Sequence, residues 1–186
     1  MNAEGNLLDR RSATDLIRAA LERDDPNAVE LMWDRYAREL YTVVLASLRS
    51  KHDADDLLQA IFVKIVRKRR QLAKAGCLDA YIHQIARNEI VSFLRRRRHR
   101  LVDLSEVEPW LTASDEAGAT NELAEEVQTA LDRLPRTQRE VVILKMYGNK
   151  TFREIAGMLE LSLNTVASRY RYSLDKLREL LKDSVV

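Results

Sequence analysis

Asn164, Thr165, Ser168, Arg169, Arg171 and Tyr172 fall within nine consecutive residues and bring together an amide, two hydroxyls, two guanidinium groups and a phenol. This donor set binds phosphate oxygens and base edges in duplex DNA, and it contains no nucleophile–base pair. A second concentration lies upstream, where Arg87 and Asn88 precede the run Arg95, Arg96, Arg97, Arg98 and Arg100. Closely spaced guanidinium groups attract a polyanion at long range and hold its backbone at short range. The chemistry these residues can do is binding to nucleic acid at two separated places.

The first set needs a rigid element to present it. TFREIAGMLELSLNTVASRYRYSLDKLREL, residues 151–180, reads as a helix, a tight turn and a second helix. Ala156 is the small residue that lets two helices approach, Val166 is the packing residue ten positions later, and Ser162 is the N-cap between them. Val166, Tyr170, Leu174, Leu177 and Leu181 form the inward stripe of the second helix, which leaves the donor set on or near the outer side. Glu160 stands at the turn, where such a motif often carries Gly. Taken alone, the pattern also describes an ordinary helical hairpin with a solvated polar face.

Composition narrows the class. Five Gly and three Pro among 186 residues, with abundant Leu, Ala, Arg and Glu, predict an all-α protein of one or two domains. No apolar run is long enough to span a membrane, and MNAEGNLLDRR lacks the form of a signal peptide, so a soluble, cytoplasmic protein without membrane insertion is expected. Cys77 is the single cysteine, and His52, His83 and His99 lack ligand-like spacing, so neither a metal nor a cofactor is called for. Phosphate-cradling Gly loops and a nucleophile elbow are likewise missing from the sequence, and no enzyme activity is expected.

The net charge of +2 hides blocks of opposite sign. Residues 1–50 carry net −2, residues 51–100 carry thirteen basic and five acidic side chains, residues 101–132 carry nine acidic and no basic ones, and residues 133–186 carry net +5. Two basic modules joined by an acidic connector suit a protein that touches a polyanion at both ends.

The elements of the first module follow from periodicity. A short helix near residues 14–23 precedes Asp24, Asp25 and Pro26, a turn and helix-start signal. Val29, Met32, Trp33, Tyr36, Leu40, Val44 and Leu48 then trace the core face of a long helix. In HDADDLLQAIFVKIVRKRR, Leu57, Leu58, Ile61, Phe62, Ile65 and Val66 point inward, while Asp56, Gln59, Ala60, Val63 and Lys64 point outward. After a loop, LAKAGCLD, a helix from Tyr81 to Arg98 buries Ile82, Ile85, Ile90, Phe93 and Leu94 and exposes Gln84, Arg87, Asn88, Ser92 and Arg95. Residues 101–120 form the acidic linker, in which Trp110 is the one large aromatic expected to dock. The second module, residues 121–186, opens with a helix carrying Leu123, Val127, Leu131 and Leu134. TxxE at Thr137–Glu140 and at Thr151–Glu154 predicts two capping boxes, and Gly148 predicts a helix C-cap.

DADDLLQAIFVKI followed by IARNEIVSFLRRRRHR, and then LPRTQREVVILKMYGNKTFREIAGMLELSLNTVASRYRYSLDKLREL, resemble the extracytoplasmic-function (ECF) class of bacterial RNA polymerase sigma factors over nearly the whole chain. The resemblance implies that residues 1–100 form the polymerase-binding and −10 element module and residues 121–186 the −35 element helix-turn-helix module. It implies Asp56, Gln59, Ala60 and Val63 as contacts to core RNA polymerase, whose β′ clamp and β subunits such factors engage. It also implies Gln84, Arg87, Asn88 and Arg95, Arg96, Arg97 and Arg98 on the melted −10 strand, with the loop at Gly76–Asp79 offering a pocket for an extruded base. Ser162, Asn164, Thr165, Ser168, Arg169, Arg171 and Tyr172 would meet the −35 duplex. Promoter DNA and an anti-sigma factor are the further partners implied, and no regulatory domain is expected beyond Val186.

Four positions depart from the family's pattern. Ala167 replaces a Lys that would meet phosphate, Ala60 an acidic residue, Ser92 an Asp and Tyr81 a Trp, here read as a core aromatic. Two other functions fit parts of the sequence. One is a dimeric helix-turn-helix regulator on a palindrome, and the other is a serine recombinase using Ser12, around which no catalytic arginine pattern is found. Co-purification with core polymerase separates the first reading from both.

Overall fold

The computed structural model describes residues 3–104 and 122–182, and side chains over 12–98 and 125–182. Among the described residues all regular structure is helical: α1 (Ala3–Glu22), α2 (Ala28–Leu48), α3 (Lys51–Arg67), α4 (Arg69–Ala73), α5 (Leu78–Leu104), α6 (Glu122–Asp132), α7 (Arg136–Met146), α8 (Phe152–Leu159) and α9 (Leu163–Lys182). The chain divides into two compact units, Met1–Phe93 and Leu94–Val186. The boundary falls inside α5, a few residues before the one expected at residue 100.

In the first unit α2 packs along α3, and α1 lies against α2 and α4. Met32, Tyr36, Leu40 and Val44 of α2, Ile61 and Ile65 of α3, and Ile82 of α5 are sealed from solvent. Local signals set the corners. Asp24 takes a left-handed φ of 52°, and the Asp25 carboxylate accepts the Asn27 amide at 2.9 Å, so α2 starts just after Pro26. Arg49, at φ 59°, ends α2, and the Ser50 hydroxyl caps α3 by accepting the Asp53 amide at 3.2 Å.

Several expectations need correction here. Val29 and Trp33 are 37% and 46% exposed and are not core. Both lie at the edge of the α2 stripe, and the Trp33 ring packs tilted against Phe62, with centroids 4.6 Å apart and the planes at 55°. Helix α1 extends well ahead of residue 14, and Val66 is only half-buried. LAKAGCLD is only half loop: Leu72 lies in α4 and Leu78 begins α5, both buried, so only Lys74–Cys77 connects the two helices. Helix α5 thus starts before Tyr81 and continues to Leu104, taking in the first four residues assigned to the linker. Tyr81 is half-buried; its hydroxyl donates to Gln71 Oε1 at 3.0 Å and its ring lies 5.8 Å from Lys68 Nζ. Trp110 lies outside the described residues.

In the second unit α9 packs on α6, α7 and α8. Leu131, Leu134 and Val142 form a core cluster joined by Val127, Tyr147, Tyr170 and Leu177. Only one of the two TxxE sequences caps a helix. Pro135, at φ −52° and ψ 139°, already starts α7, so Thr137 lies inside the helix rather than at its N-cap. Proline has no amide hydrogen to orphan and a fixed φ suited to a helix start, so it preempts the threonine two residues later. Gly148 is not the left-handed residue after α7 either. Tyr147 is the C-cap and Asn149 carries the positive φ, 48°, a conformation that Asn tolerates better than most residues.

Candidate nucleic-acid and polymerase interfaces

The hairpin of the second unit is built by three local devices. At its start the Thr151 hydroxyl accepts the Glu154 amide at 3.2 Å while the Glu154 carboxylate accepts the Thr151 amide at 2.7 Å, a complete capping box. At its turn Glu160 adopts φ 54°, ψ 44°, and the Leu161 amide returns to the Ala156 carbonyl at 3.0 Å, the six-to-one bond that closes a helix C-terminus. The Ser162 hydroxyl then caps α9 by accepting the Thr165 amide at 3.0 Å. Ile155 and Val166, both wholly buried, fill the angle between the helices.

The expected −35 residues do not all present free groups. Ser162 and Thr165 hydroxyls lie 2.8 Å apart, and the Ser168 hydroxyl donates to the Thr165 carbonyl at 3.0 Å. Thr165, Ser168 and Arg169 are half-buried, whereas Asn164, Arg171 and Tyr172 are exposed. The Arg171 guanidinium sits 5.4 Å from the Tyr172 ring centre. Asn164, Ser168 and Arg171 share one outward face of α9 by their spacing of four and three. Two neighbours escaped the sequence reading. Leu163, the first residue of α9, is 48% exposed beside Asn164. Asp175 continues the same face one turn beyond Arg171, and its carboxylate takes Arg178 at 3.4 Å. The four-residue step from Arg171 could have revealed it. Ser173 was also missed. It is fully buried within the inward stripe, and its hydroxyl donates to the Arg169 carbonyl at 2.6 Å.

In the first unit, Gln84 and Asn88 of α5 are exposed and Arg87 is half-buried; farther along the same helix Arg95, Arg96, Arg97 and Arg98 are exposed. At about 100° per residue, Gln84, Arg87, Asn88, Arg95 and Arg98 form one stripe, while Arg96 and Arg97 turn to the other sides of the helix. On α3, Asp56, Gln59, Ala60 and Val63 are all exposed and share a single face by their three–one–three spacing. Lys64 at its border ion-pairs with Glu89 of α5, which ties the two helices together. Asp56 also lies 3.2 Å from His52 Nδ1, one turn earlier. A hydrogen bond to its own backbone and the Asp56 carboxylate hold His52 above its ordinary value of 6.5.

Beneath these surfaces runs a polar seam that periodicity does not reveal. Asp79, in the first turn of α5, accepts the Tyr36 hydroxyl at 3.2 Å and the Thr14 hydroxyl at 3.4 Å and lies 3.4 Å from Arg35. Arg35 reaches on to Glu39 at 3.5 Å, and Glu39 lies 2.7 Å from Nε2 of the buried His83. Burial, followed by the Asp79 charge, pushes the Tyr36 phenol far above its usual range, so it serves as a fixed donor. Among the described residues no group of His, Cys, Asp and Glu could hold a metal ion, and no helix is long and apolar enough to cross a membrane.

Residues 32–100 match the family model for Sigma-70 region 2, and residues 124–177 match that for Sigma-70 region 4. The chain is 30% identical over 172 residues to the ECF RNA polymerase sigma factor SigM of Mycobacterium tuberculosis, covering 92% of this chain and 85% of the relative. It is 27% identical over 154 residues to the RNA polymerase sigma factor SigZ of Bacillus subtilis, covering 83% and 87%. In fold it resembles the sigma factor RpoE from Bartonella quintana, solved in complex with the anti-sigma factor NepR, with a TM-score of 0.68 at 24% identity over 84% of this chain and 98% of that one. With both sigma regions present in order around an acidic segment, the chain belongs to the ECF family of RNA polymerase sigma factors, non-catalytic promoter-specificity subunits that direct polymerase in initiating transcription.

Proposed function

We propose that residues 1–100 dock on core RNA polymerase, at its β′ clamp and β subunits, through Asp56, Gln59, Ala60 and Val63 of α3. Gln84, Arg87, Asn88 and Arg95–Arg98 of α5 then hold the melted non-template strand of the −10 element. Residues 121–186 read the −35 duplex, with α9 in the major groove and Asn164, Arg171 and Tyr172 as its outward groups. Ser162, Thr165 and Ser168 shape the start of that helix while Arg169 flanks it. The acidic connector, residues 101–120, joins the two. The protein acts in the cytoplasm without a cofactor, and an anti-sigma factor that masks one of these surfaces is its natural regulator.

The observation that carries this reading is the separation of charge by helix. The outward stripe of α3 carries an acid, an amide and two apolar side chains between His52 and Arg67, while that of α5 carries amides and guanidinium groups around the half-buried Val91, with no acid among them. A surface of the first composition suits a protein partner, and one of the second suits a polyanion.

Run-off transcription with core enzyme and a genomic fragment library tests it. Promoter-dependent transcripts should appear only when this protein and core are both present. Tight, palindrome-dependent binding by the protein alone, with no transcripts, would favour a stand-alone helix-turn-helix regulator instead.

A further inference from the structure

Helix α1 lies ahead of the residues that match the sigma region 2 model, which begin at 32, yet its side chains reach the connection between α4 and α5. The Arg18 guanidinium donates to the Ala75 carbonyl at 2.7 Å. One turn earlier on the same face, Thr14 donates to Asp79 at 3.4 Å, and beyond the end of α1 the Asp24 carboxylate takes Arg69 of α4 at 3.0 Å. Ile17, Ala20 and Leu21 are buried between these tethers. The connection itself, Lys74–Cys77, is only four residues long and is pinned at both ends by the buried Leu72 and Leu78. Gly76 in its middle has nothing within 4 Å of where a side chain would begin, so the tip is open on that side.

We propose that α1 is a positioning element for the −10 pocket: Arg18 and Thr14 are positioning residues that fix the Lys74–Cys77 loop, through the Ala75 carbonyl and Asp79, in the geometry that accepts an extruded base. This rests on the assignment of the first unit to the −10 strand. A pocket that selects one base must be held to a fraction of an ångström, and the connection's own backbone bonds hold only its two ends. Its own backbone bonds, Lys74 to Gln71 at 3.2 Å and Ala75 to Leu72 at 3.1 Å, fix the departure from α4. Arg18 instead takes hold of the chain at Ala75, directly before the open tip. Asp79 then fixes the first turn of α5, bonded to Thr14 and Tyr36 and paired with Arg35, so α1, α2 and α5 converge on one carboxylate.

The test uses holoenzyme assembled from core polymerase and the full chain, on forked templates with a constant −35 duplex. The non-template −10 bases are changed one at a time. Wild-type holoenzyme should disfavour a wrong base by about fivefold or more. Arg18→Ala should bring that ratio to within about twofold of unity, while assembly with core and discrimination at the −35 element stay as in wild type. Arg18→Lys, which keeps a donor within reach of Ala75, should restore most of the ratio. Thr14→Val gives an independent arm if Arg18→Ala does not fold, and should lower the ratio in the same direction. Undiminished −10 discrimination in these variants overturns the proposal, as does a parallel loss at both elements, which signals lost charge or lost fold. Indifference of the wild-type holoenzyme to the −10 bases would instead remove the assignment beneath it, and that outcome is visible before any variant is made.

Discussion

Ser162 Oγ lies 2.8 Å from Thr165 Oγ1 and accepts the Thr165 amide at 3.0 Å, so two hydroxyls that their position alone would give to DNA are engaged in starting the recognition helix. Ser162→Ala should therefore lower the stability of the second unit by about 1 kcal/mol. Urea unfolding followed by circular dichroism measures it. Unchanged stability with weakened DNA binding would make Ser162 a direct contact.

The turn of the hairpin holds its glycine in the wrong place for stability. Glu160 occupies left-handed space at φ 54°, while Gly157 sits within α8 with nothing within 4 Å of the point where a side-chain carbon would stand. Glu160→Gly should relieve about 1 kcal/mol of backbone strain. Gly157→Ala should add about 0.5 to 1 kcal/mol by removing backbone freedom from the unfolded chain. Both variants should unfold at higher temperature than wild type. A lower melting temperature for Glu160→Gly would mean that the Glu160 side chain contributes more than its backbone costs.

How far the sequence can be read depends on the range of the cause. Thr151 and Glu154 cap α8, and Ser162 caps α9, through bonds spanning three residues, so the hairpin and its register are legible from spacing alone. The same logic fails at Thr137, because Pro135 starts α7 first. Periodicity gives the direction of a face but not how far its neighbours extend, which is why Trp33 falls on the core stripe yet stays 46% exposed. The seam from Thr14 through Asp79 and Arg35 to Glu39 and His83 joins residues up to 65 positions apart, and no local pattern points to it.

Polymerase docking should depend on α3 without involving the fold. Asp56 and Gln59 are exposed and have no part in the core, so Asp56→Arg with Gln59→Ala should abolish co-purification with core polymerase and leave the circular dichroism spectrum unchanged. A double variant that still assembles normally would place the docking surface on another face.

The His52–Asp56 pair should give that docking a pH dependence. His52 is raised above 6.5 by its own backbone and by Asp56, so its contribution to stability is complete below that value and fades as pH rises through the raised pKa. Loss of the proton also frees the Asp56 carboxylate from its cation, so association with core should strengthen over the same interval. Measured across that range, wild-type affinity should rise with pH, and His52→Ala should flatten the profile. A profile that His52→Ala leaves unchanged would assign the titration to another group.

Ala167 is half-buried on the flank of the face shared by Asn164 and Arg171, near the start of α9, where a lysine could reach a phosphate while carrying little base information. Ala167→Lys should tighten −35 binding on all sequences alike and add about one unit to the slope of log affinity against log salt. Arg171 is exposed, with the Tyr172 ring beside it, and on the docking proposed above it meets a base edge. Arg171→Ala should cost about 1 to 3 kcal/mol and relax preference at one position of the element. The two variants separate backbone from base contact on a single helix, because one moves the salt slope without moving the preference and the other does the reverse. If Ala167→Lys changes neither affinity nor slope, position 167 faces away from the backbone. Helix α9 is then rotated in the groove relative to the docking proposed for it.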